Sequence, residues 1–208
     1  MNFFITGTDT DAGKTFVTSL LTRSLRKAGF DTVAMKPVSC GEPGDTHELR
    51  SAADNELSHE EVTPVSYKAP LAPIEAARLE GRIFDPEEIL SVFRRLKNSR
   101  RSLLVEGVGG WLVPLAPGYT TADLAKAMDL PVLLVVRNRL GVLNHTLLTL
   151  ESIRNHGLTC GGIVLNNHPA DDGDAAREGN RRLLPTLTDV PILFEIESGQ
   201  TTLELAAA

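Results

Sequence analysis

The sequence predicts an α/β protein with a doubly wound, mainly parallel sheet and helices on both faces. Short, almost wholly apolar segments alternate along the chain with longer segments in which apolar residues recur at helical spacing. A glycine-rich loop joins the first apolar segment to the first helical pattern. Strands that are apolar throughout are typical of a parallel sheet buried on both faces. The length of 208 residues predicts a single domain over residues 1–208.

Six apolar segments are predicted to be strands, at residues 3–5, 32–37, 101–107, 130–136, 161–166 and 190–196. A first helix is predicted to follow Thr15 and to end near Gly29, and further helices are predicted at residues 86–96, 121–128, 143–156 and 175–187. The stretch 39–77 differs from the rest because it is polar and broken by prolines. It is predicted to be loop, with one short helix around residues 46–57.

The composition argues against several classes of protein. A net charge of −6 disfavours a nucleic-acid binder, which usually presents a basic face. No apolar run reaches the roughly 18 residues that would suggest a membrane span. The two cysteines, Cys40 and Cys160, form no disulfide framework and suit a reducing compartment. We therefore expect a cytoplasmic protein with neither nucleic-acid nor membrane partners.

The loop "GTDTDAGKT", residues 7–15, resembles a phosphate-binding loop that is one residue too long. Five residues separate Gly7 from Gly13, where the common pattern has four. The loop lies between a predicted strand and a predicted helix, whose amino end favours phosphate. Lys14 can reach the β- and γ-phosphates and Thr15 can ligate Mg²⁺. The pattern thus predicts a P-loop NTPase-like fold, although a chance Gly-Lys-Thr before a helix is an alternative.

Two charged residues lie at the ends of predicted strands, at the sheet edge where doubly wound proteins bind ligands. Glu106 ends the apolar run "LLVE", and a carboxylate there is costly to bury unless it is paired or bound to a metal. It is therefore predicted to ligate Mg²⁺, with a surface-facing side chain as the alternative. Lys36 lies at the end of the second strand, before Pro37, and could point into the same cleft or simply be solvated. Gly107 and Gly109 would let the backbone approach a ligand.

Together these motifs resemble the dethiobiotin synthetase family, ATP-dependent ring-closing ligases of biotin synthesis. The resemblance covers nearly the whole chain and rests on the segments "TGTDTDAGKT", "KPVSCG", "LLVEGVGGWLVPL", "LPVLLVV", "LGVLNHTLLTL" and "VLNN". The family's loop has the form GTDT-x-x-GKT, so the extra residue is typical of the family. The resemblance implies that 7,8-diaminopelargonate, CO2 or bicarbonate, and ATP are joined to give dethiobiotin, ADP and phosphate.

The resemblance also implies roles for individual residues. Thr15, Asp45 and Glu106 would hold Mg²⁺, while Lys14 and Lys36 would be catalytic, stabilising negative charge on the transferring phosphoryl group and the carbamate. Asn166 resembles an asparagine that reads adenine, because its amide can both donate and accept on the base edge. The implied nucleotide-binding residues are Asp11, Ala12, Gly13, Lys14, Thr15, Phe16, Asp45, Glu106, Gly107, Val108, Gly109, Asn166 and Asn167.

The implied substrate-binding residues include some from a facing subunit, because the family works as a homodimer. They are Thr10, Asp11, Lys36, Cys40, Gly109, Gly141, Val142, Leu143 and Asn144. Asp11 can balance an ammonium group of the diamine. The last four begin a predicted helix, whose amino end would receive the substrate carboxylate from the facing subunit. An ordinary helix cap is the alternative role for Asn144.

The chain departs from the family pattern at three places, one of which is Ile74, where the family often has a histidine. Cys40 stands where the family usually has a serine. In the segment "LFEIES", Phe194 and Glu197 replace a glycine and a proline that border the adenine. We therefore expect weak discrimination between nucleotide bases.

Two other functions share this style of loop. A partitioning-type ATPase switch would carry an additional lysine near the first glycine, where this chain has Thr8, Asp9 and Thr10. An amidoligase related to cobyrinic acid synthesis would normally carry a glutamine amidotransferase domain, for which we expect no room in 208 residues. Both remain alternatives to the ring-closing ligase.

Overall fold

The computed structural model describes residues 2–99 and 101–204. The strands are β1 (Asn2–Gly7), β2 (Thr32–Met35), β3 (Val38–Cys40), β4 (Val65–Tyr67), β5 (Ser102–Gly110), β6 (Pro114–Ala116), β7 (Tyr119–Thr120), β8 (Val132–Arg137), β9 (Cys160–Asn166) and β10 (Ile192–Ile196). The helices are α1 (Lys14–Lys27), α2 (Gly44–Ala52), α3 (His59–Val62), α4 (Pro73–Glu80), α5 (Pro86–Asn98), α6 (Thr121–Met128), α7 (Val142–Asn155) and α8 (Ala176–Leu187). A short 3-10 turn spans Pro169–Asp171.

Six of these strands form one sheet, in the order β10-β9-β8-β1-β5-β2. Every neighbouring pair in this sheet is parallel. The predicted parallel α/β sheet is confirmed, and all six predicted strands belong to it. Because the strands are parallel, their carboxyl ends meet along one edge, where β1 lies between β5 and β8.

Successive residues of the central strands enter two different cores, one on each face of the sheet. In β1, Phe4 belongs to one buried cluster and Ile5 to the other, as the two-residue period of a strand requires. The cluster around Ile5 includes Val17 and Leu20 of α1, and the cluster around Phe4 includes residues of α5, α6, α7 and α8. Helices therefore cover both faces, as predicted.

The prediction that residues 39–77 are mostly loop is wrong. This stretch contains α2, α3 and most of α4, and β3 pairs in parallel with β4 to make a second, two-stranded sheet. Pro73 does not interrupt a helix but stands at the beginning of α4, where proline's fixed φ suits a helix start. Leu49 and Tyr67 are buried in the main core. The stretch is thus a packed layer beside the edge strand β2. The antiparallel β6–β7 hairpin is a further element that the sequence patterns do not predict.

The remaining elements lie close to their predicted positions. The helix α6 has the predicted bounds, and α1 ends at Lys27 with Gly29 in the left-handed conformation, at φ 91°. Within the described residues, no helix is both long enough and apolar enough to cross a membrane.

Candidate active site

The loop between β1 and α1 has the backbone shape of a phosphate-binding loop. Gly13, immediately before α1, has φ 89°, a left-handed conformation that favours glycine. At Gly7, a Cβ atom would lie only 2.9 Å from the Asp9 carbonyl oxygen and from Ala12 Cβ. Both glycines are therefore required by geometry. The Lys14 ammonium folds back over the loop and donates to the Asp9 carbonyl at 3.3 Å.

The Glu106 carboxylate lies next to this loop and is fully buried. It is placed by β5, in which Glu106 pairs with Ile5 of β1. Because β5 continues to Gly110, Glu106 lies inside the strand and not at its end, so that part of the prediction is wrong. Its Oε1 atom accepts hydrogen bonds from Thr15 Oγ1 at 2.8 Å and from Lys36 Nζ at 2.8 Å. Its Oε2 atom has no hydrogen-bond partner in the described structure. The burial excludes a surface-facing Glu106, and the unpartnered oxygen is available to a ligand.

The Lys36 ammonium lies between two carboxylates, those of Glu106 and Asp45. Lys36 is only 5% exposed, which excludes the solvated alternative. Burial by itself would lower the pKa of Lys36, but the two carboxylates outweigh it and raise that pKa above its ordinary value. Burial would raise the pKa of Asp45, but Lys36 outweighs it and lowers that pKa. The group therefore holds a charged ammonium and a charged Asp45.

Lys14 sits in a different electrostatic environment from Lys36. It is buried, and its nearest hydrogen-bond partner is a neutral carbonyl rather than a carboxylate. Burial lowers the pKa of Lys14, and the more distant charge of Glu106 only partly opposes this effect. Its charge is thus poorly compensated by the protein, as suits a lysine that binds an anion.

The oxygen atoms of Thr15, Asp45 and Glu106 fit a magnesium site. Mg²⁺ prefers oxygen ligands and is usually bound through one or two carboxylates together with waters and substrate phosphates. The buried, unpartnered Oε2 of Glu106 is such a ligand. In residues 2–99 and 101–204 there is no group of three or more His, Cys, Asp or Glu side chains that could hold a metal alone. The set is therefore suited to a metal that arrives with phosphates.

A cleft of about 630 Å³ opens above these groups. Most of the predicted site residues line it, namely Thr10, Asp11, Gly13, Lys14, Thr15, Phe16, Lys36, Cys40, Asp45, Glu106, Val108 and Gly109. Ser39, Val113 and residues 70–73 also line it but were not predicted. No local signal in the segment "APLAP", residues 69–73, indicates that it lines the cleft.

Three predicted residues lie below or beside the loop rather than in the cleft. Ala12 is buried in the core under α1. A Cβ atom at Gly107 would lie 3.0 Å from Thr121 and 3.1 Å from the Phe4 ring, so this glycine permits packing under the sheet edge. Asn166, at the end of β9, donates from Nδ2 to the Ala12 carbonyl oxygen at 2.9 Å.

Both the amide nitrogen and the amide oxygen of Asn167 are hydrogen-bonded to other side chains. Its Nδ2 donates to Glu197 at 2.7 Å and to Glu195 at 3.2 Å, and its Oδ1 accepts from Asn138 at 2.9 Å. Phe194 is partly buried against the core cluster that contains α1. The altered segment is thus built into the fold, and base recognition by Asn166 and Asn167 stays a prediction.

The four residues predicted to bind the substrate carboxylate lie away from this cleft. Gly141 is the residue before α7 and has φ 89°, without a side-chain cap. Val142 begins the helix, followed by Leu143 and by Asn144, which is exposed. Asn144 is therefore not the cap of α7. None of the four lines the cleft of its own chain.

Comparison with known proteins shows the family of this chain. A family model described as "AAA domain" matches residues 1–203. Similar curated proteins are named ATP-dependent dethiobiotin synthetase. The protein from Akkermansia muciniphila is 44% identical over 98% of this chain and 95% of its own length, and the one from Bacillus subtilis (strain 168) is 39% identical over 92% and 84%. This chain belongs to the dethiobiotin synthetase family.

Solved structures similar to this member of the family share its fold at low sequence identity. The septum site-determining protein MinD from Pyrococcus horikoshii, complexed with Mg-ADP, has a TM-score of 0.60 at 19% identity, covering 95% of this chain and 82% of its own. The cell division protein FtsY from Thermotoga maritima has a TM-score of 0.56 at 15% identity, covering 97% and 63%. These likenesses show the P-loop fold alone.

Cys40, which departs from the usual serine of the synthetase family, lies half-buried in the cleft wall. Burial, helped by the negative charge of Glu80, raises the pKa of the Cys40 thiol to about 11. The thiolate is the reactive form of cysteine, so little of it is present near pH 7. A thiol in the cleft can therefore persist without being readily modified.

We expect Cys40 to react slowly with thiol reagents, at a rate that keeps rising with pH up to about 11. The measurement is the labelling rate of a Cys160→Ser variant, which leaves Cys40 as the one thiol of the chain. A Cys40→Ser, Cys160→Ser double variant gives the background. A rate that levels off below pH 9 would contradict the raised pKa.

Proposed function

We propose that the protein is an ATP-dependent dethiobiotin synthetase, which closes the ureido ring from 7,8-diaminopelargonate and CO2 while converting ATP to ADP and phosphate. The observation that carries the proposal is the sharing of the Glu106 carboxylate between Thr15 of the phosphate loop and Lys36 of the cleft wall. Membership of the family and the names of its curated relatives support the same activity. We also propose that the enzyme acts in the cytoplasm.

The phosphate loop would hold the triphosphate with its terminal phosphate towards the cleft. The backbone N–H groups at the start of α1 and the helix dipole favour an anion. Lys14, whose charge the protein compensates poorly, would move from the Asp9 carbonyl to the β- and γ-phosphates. Mg²⁺, held by Thr15, Asp45 and Glu106, would neutralise charge on the phosphates.

The ring would close in the cleft between the phosphate loop and residues 70–73. One amine of the substrate takes up CO2 as a carbamate and releases a proton. A carbamate oxygen attacks the γ-phosphate and ADP leaves, which gives a carbamic–phosphoric anhydride. The second amine then attacks the anhydride carbonyl, and phosphate departs as the second C–N bond forms. Thr10 and Asp11 line the same cleft, where Asp11 would balance an ammonium group before it loses its proton.

Lys36 would stabilise the negative charge that passes between carbamate and phosphate. Positioned charges are the main catalytic lever in phosphoryl transfer. Lys36 is held between Glu106 and Asp45 in a buried position, so it does not have to be ordered when the substrate binds. The same burial makes its charge more effective than it would be in water.

We further propose that the active enzyme is a homodimer in which α7 of one subunit completes the cleft of the other. Leu112, Leu140 and Leu148 are 55%, 81% and 58% exposed. Leu112 and Leu148 line one groove between the phosphate loop and α7. Apolar side chains grouped at such a groove suit a protein interface. The amino end of α7 would then present its N–H groups to the substrate carboxylate of the facing subunit.

The two alternative functions are not proposed. The likeness to MinD, a cell division protein, is one of fold at 19% identity. The curated relatives at 39% to 48% identity are named as dethiobiotin synthetases instead. These relatives favour the ligase over both the partitioning-type switch and the amidoligase.

ATP turnover should require both the diamine and bicarbonate, because the γ-phosphate is transferred to a carbamate rather than to water. The measurement is phosphate release with ATP alone, with each co-substrate separately, and with both. Dethiobiotin formed in equal amount to the phosphate serves as the control for coupling. Equal phosphate release under all four conditions would contradict the ligase.

Replacing Lys36 by methionine should slow turnover by roughly a hundredfold or more, by analogy with the loss of one oxyanion donor. The methionine side chain fills similar volume without the charge. The affinity for ATP should change much less, because the charge is proposed to act on the transferring group. Lys126→Met, at an exposed position of α6, is the matched control. Turnover near that of the wild type would show that Lys36 is structural.

A Leu148→Arg variant should be monomeric, because a charge at the centre of an apolar contact is costly to bury. It should lose turnover but still bind ADP, since the phosphate loop lies within one subunit. Sedimentation velocity and calorimetry measure the two properties. Leu79→Arg, at another exposed leucine (55% exposed) on α4, is the control. A dimeric Leu148→Arg variant, or a fully active monomer, would contradict the proposed interface.

A further inference from the structure

We propose that Asn166 is a positioning residue for the phosphate loop, in addition to any contact it makes with the base. The resemblance to the family implies a role in reading adenine, which would affect one nucleotide more than another. The contacts of this side chain point to a role that acts on every nucleotide alike. The inference rests on the nucleotide-binding part of the proposed function, but not on the ligase reaction.

The Asn166 side chain reaches the loop across the width of one strand. It ends β9, which is separated from β1 by β8. It is 2% exposed, and its Nδ2 atom donates to the Ala12 carbonyl oxygen at 2.9 Å. A Cβ atom on Gly13 would lie 2.1 Å from the same Nδ2 atom. The amide of Asn166 is therefore packed directly against the peptide that joins Ala12 to Gly13.

This hydrogen bond fixes the direction of a donor on the opposite side of the peptide. In a trans peptide the C=O and N–H groups point in opposite directions, and no cis peptide occurs among the described residues. When the Ala12 carbonyl is held against Asn166, the Gly13 N–H must point away from Asn166. Gly13 lines the cleft and immediately precedes α1, where a backbone N–H is suited to bind phosphate.

The peptide needs such an anchor because of its sequence. Gly13 has φ 89°, and a glycine can leave this conformation for others at little steric cost. The preceding loop residues Asp9, Thr10 and Asp11 are exposed. Rotation of the peptide would turn the carbonyl oxygen towards the phosphates and the N–H away from them. Asn166 excludes this arrangement by bonding the carbonyl before the nucleotide binds.

A ligand without a base separates the positioning role from base reading. Tripolyphosphate with Mg²⁺ offers only phosphate oxygens to the loop. If Asn166 positions the loop, its loss weakens tripolyphosphate, ATP and GTP by the same factor. If Asn166 only reads the base, its loss weakens ATP and leaves tripolyphosphate unchanged.

The experiment measures dissociation constants of Mg-tripolyphosphate, Mg-ATP and Mg-GTP by calorimetry for the wild type, Asn166→Ala and Asn166→Leu. The leucine is neutral and close in size to asparagine, so it removes the donor without adding a charge that repels phosphate. We expect all three ligands to bind about tenfold more weakly in both variants, as for one lost hydrogen bond to a charged group. Two variants guard against the failure of one to fold.

Asn2→Ala is the matched control, because Asn2 also bonds a backbone group, Leu103 N at 2.8 Å, but at the opposite edge of the sheet. It should leave all three dissociation constants unchanged. Unchanged tripolyphosphate binding in the Asn166 variants, or an equal loss in the Asn2 control, would overturn the proposal. Because this assay needs no diamine, failure of the ligase reaction would be seen separately, as phosphate release that is independent of the diamine.

Discussion

The buried carboxylate of Glu106 is the constraint on which the arrangement of the site depends. Removing a carboxylate from water costs several kcal/mol, even after the protein relaxes around it, and Glu106 is fully buried. The fold offsets this cost with the Thr15 hydroxyl and the Lys36 ammonium, both 2.8 Å from the same oxygen. Thr15 belongs to α1 and Lys36 follows β2. The carboxylate of Glu106 in β5 therefore fixes these three parts of the chain relative to one another. Asp45 joins the group through Lys36.

The phosphate loop connects this charged group with the rest of the sheet edge. The loop leads directly into α1, which begins with Lys14 and Thr15. On the side of the loop that faces β9, Asn166 donates a hydrogen bond to the Ala12 carbonyl. Gly7 lets the loop backbone lie close to Asp9 and Ala12, and Gly13 leaves room for the Asn166 amide. The loop is one residue longer than the common pattern, and its residues Thr10 and Asp11 line the wall of the cleft. A single loop can therefore face both the phosphates and a second substrate.

Sequence patterns sufficed for the features that depend on local chemistry. The apolar strands, the loop at residues 7–15 and the charged residues Lys36 and Glu106 beside or within apolar segments were each visible within a few residues, because periodicity and burial cost are local signals. The layer at residues 39–77 was missed because its stability comes from tertiary contacts, such as the burial of Leu49 and Tyr67. Residues 70–73 form a wall of the cleft for the same reason. No spacing rule indicates which loop will fold against which.

The most direct test of the account is the effect of Mg²⁺ on ADP binding in the wild type and in Glu106→Gln. Glutamine has the size of glutamate and keeps an acceptor oxygen for Thr15 and Lys36, but it lacks the charge that binds a metal. Calorimetry should show that Mg²⁺ strengthens ADP binding by about tenfold or more in the wild type, or about 1.4 kcal/mol. In the variant this strengthening should be almost lost, while binding of ADP without Mg²⁺ stays similar. Equal strengthening by Mg²⁺ in both proteins would contradict the central role of the Glu106 carboxylate.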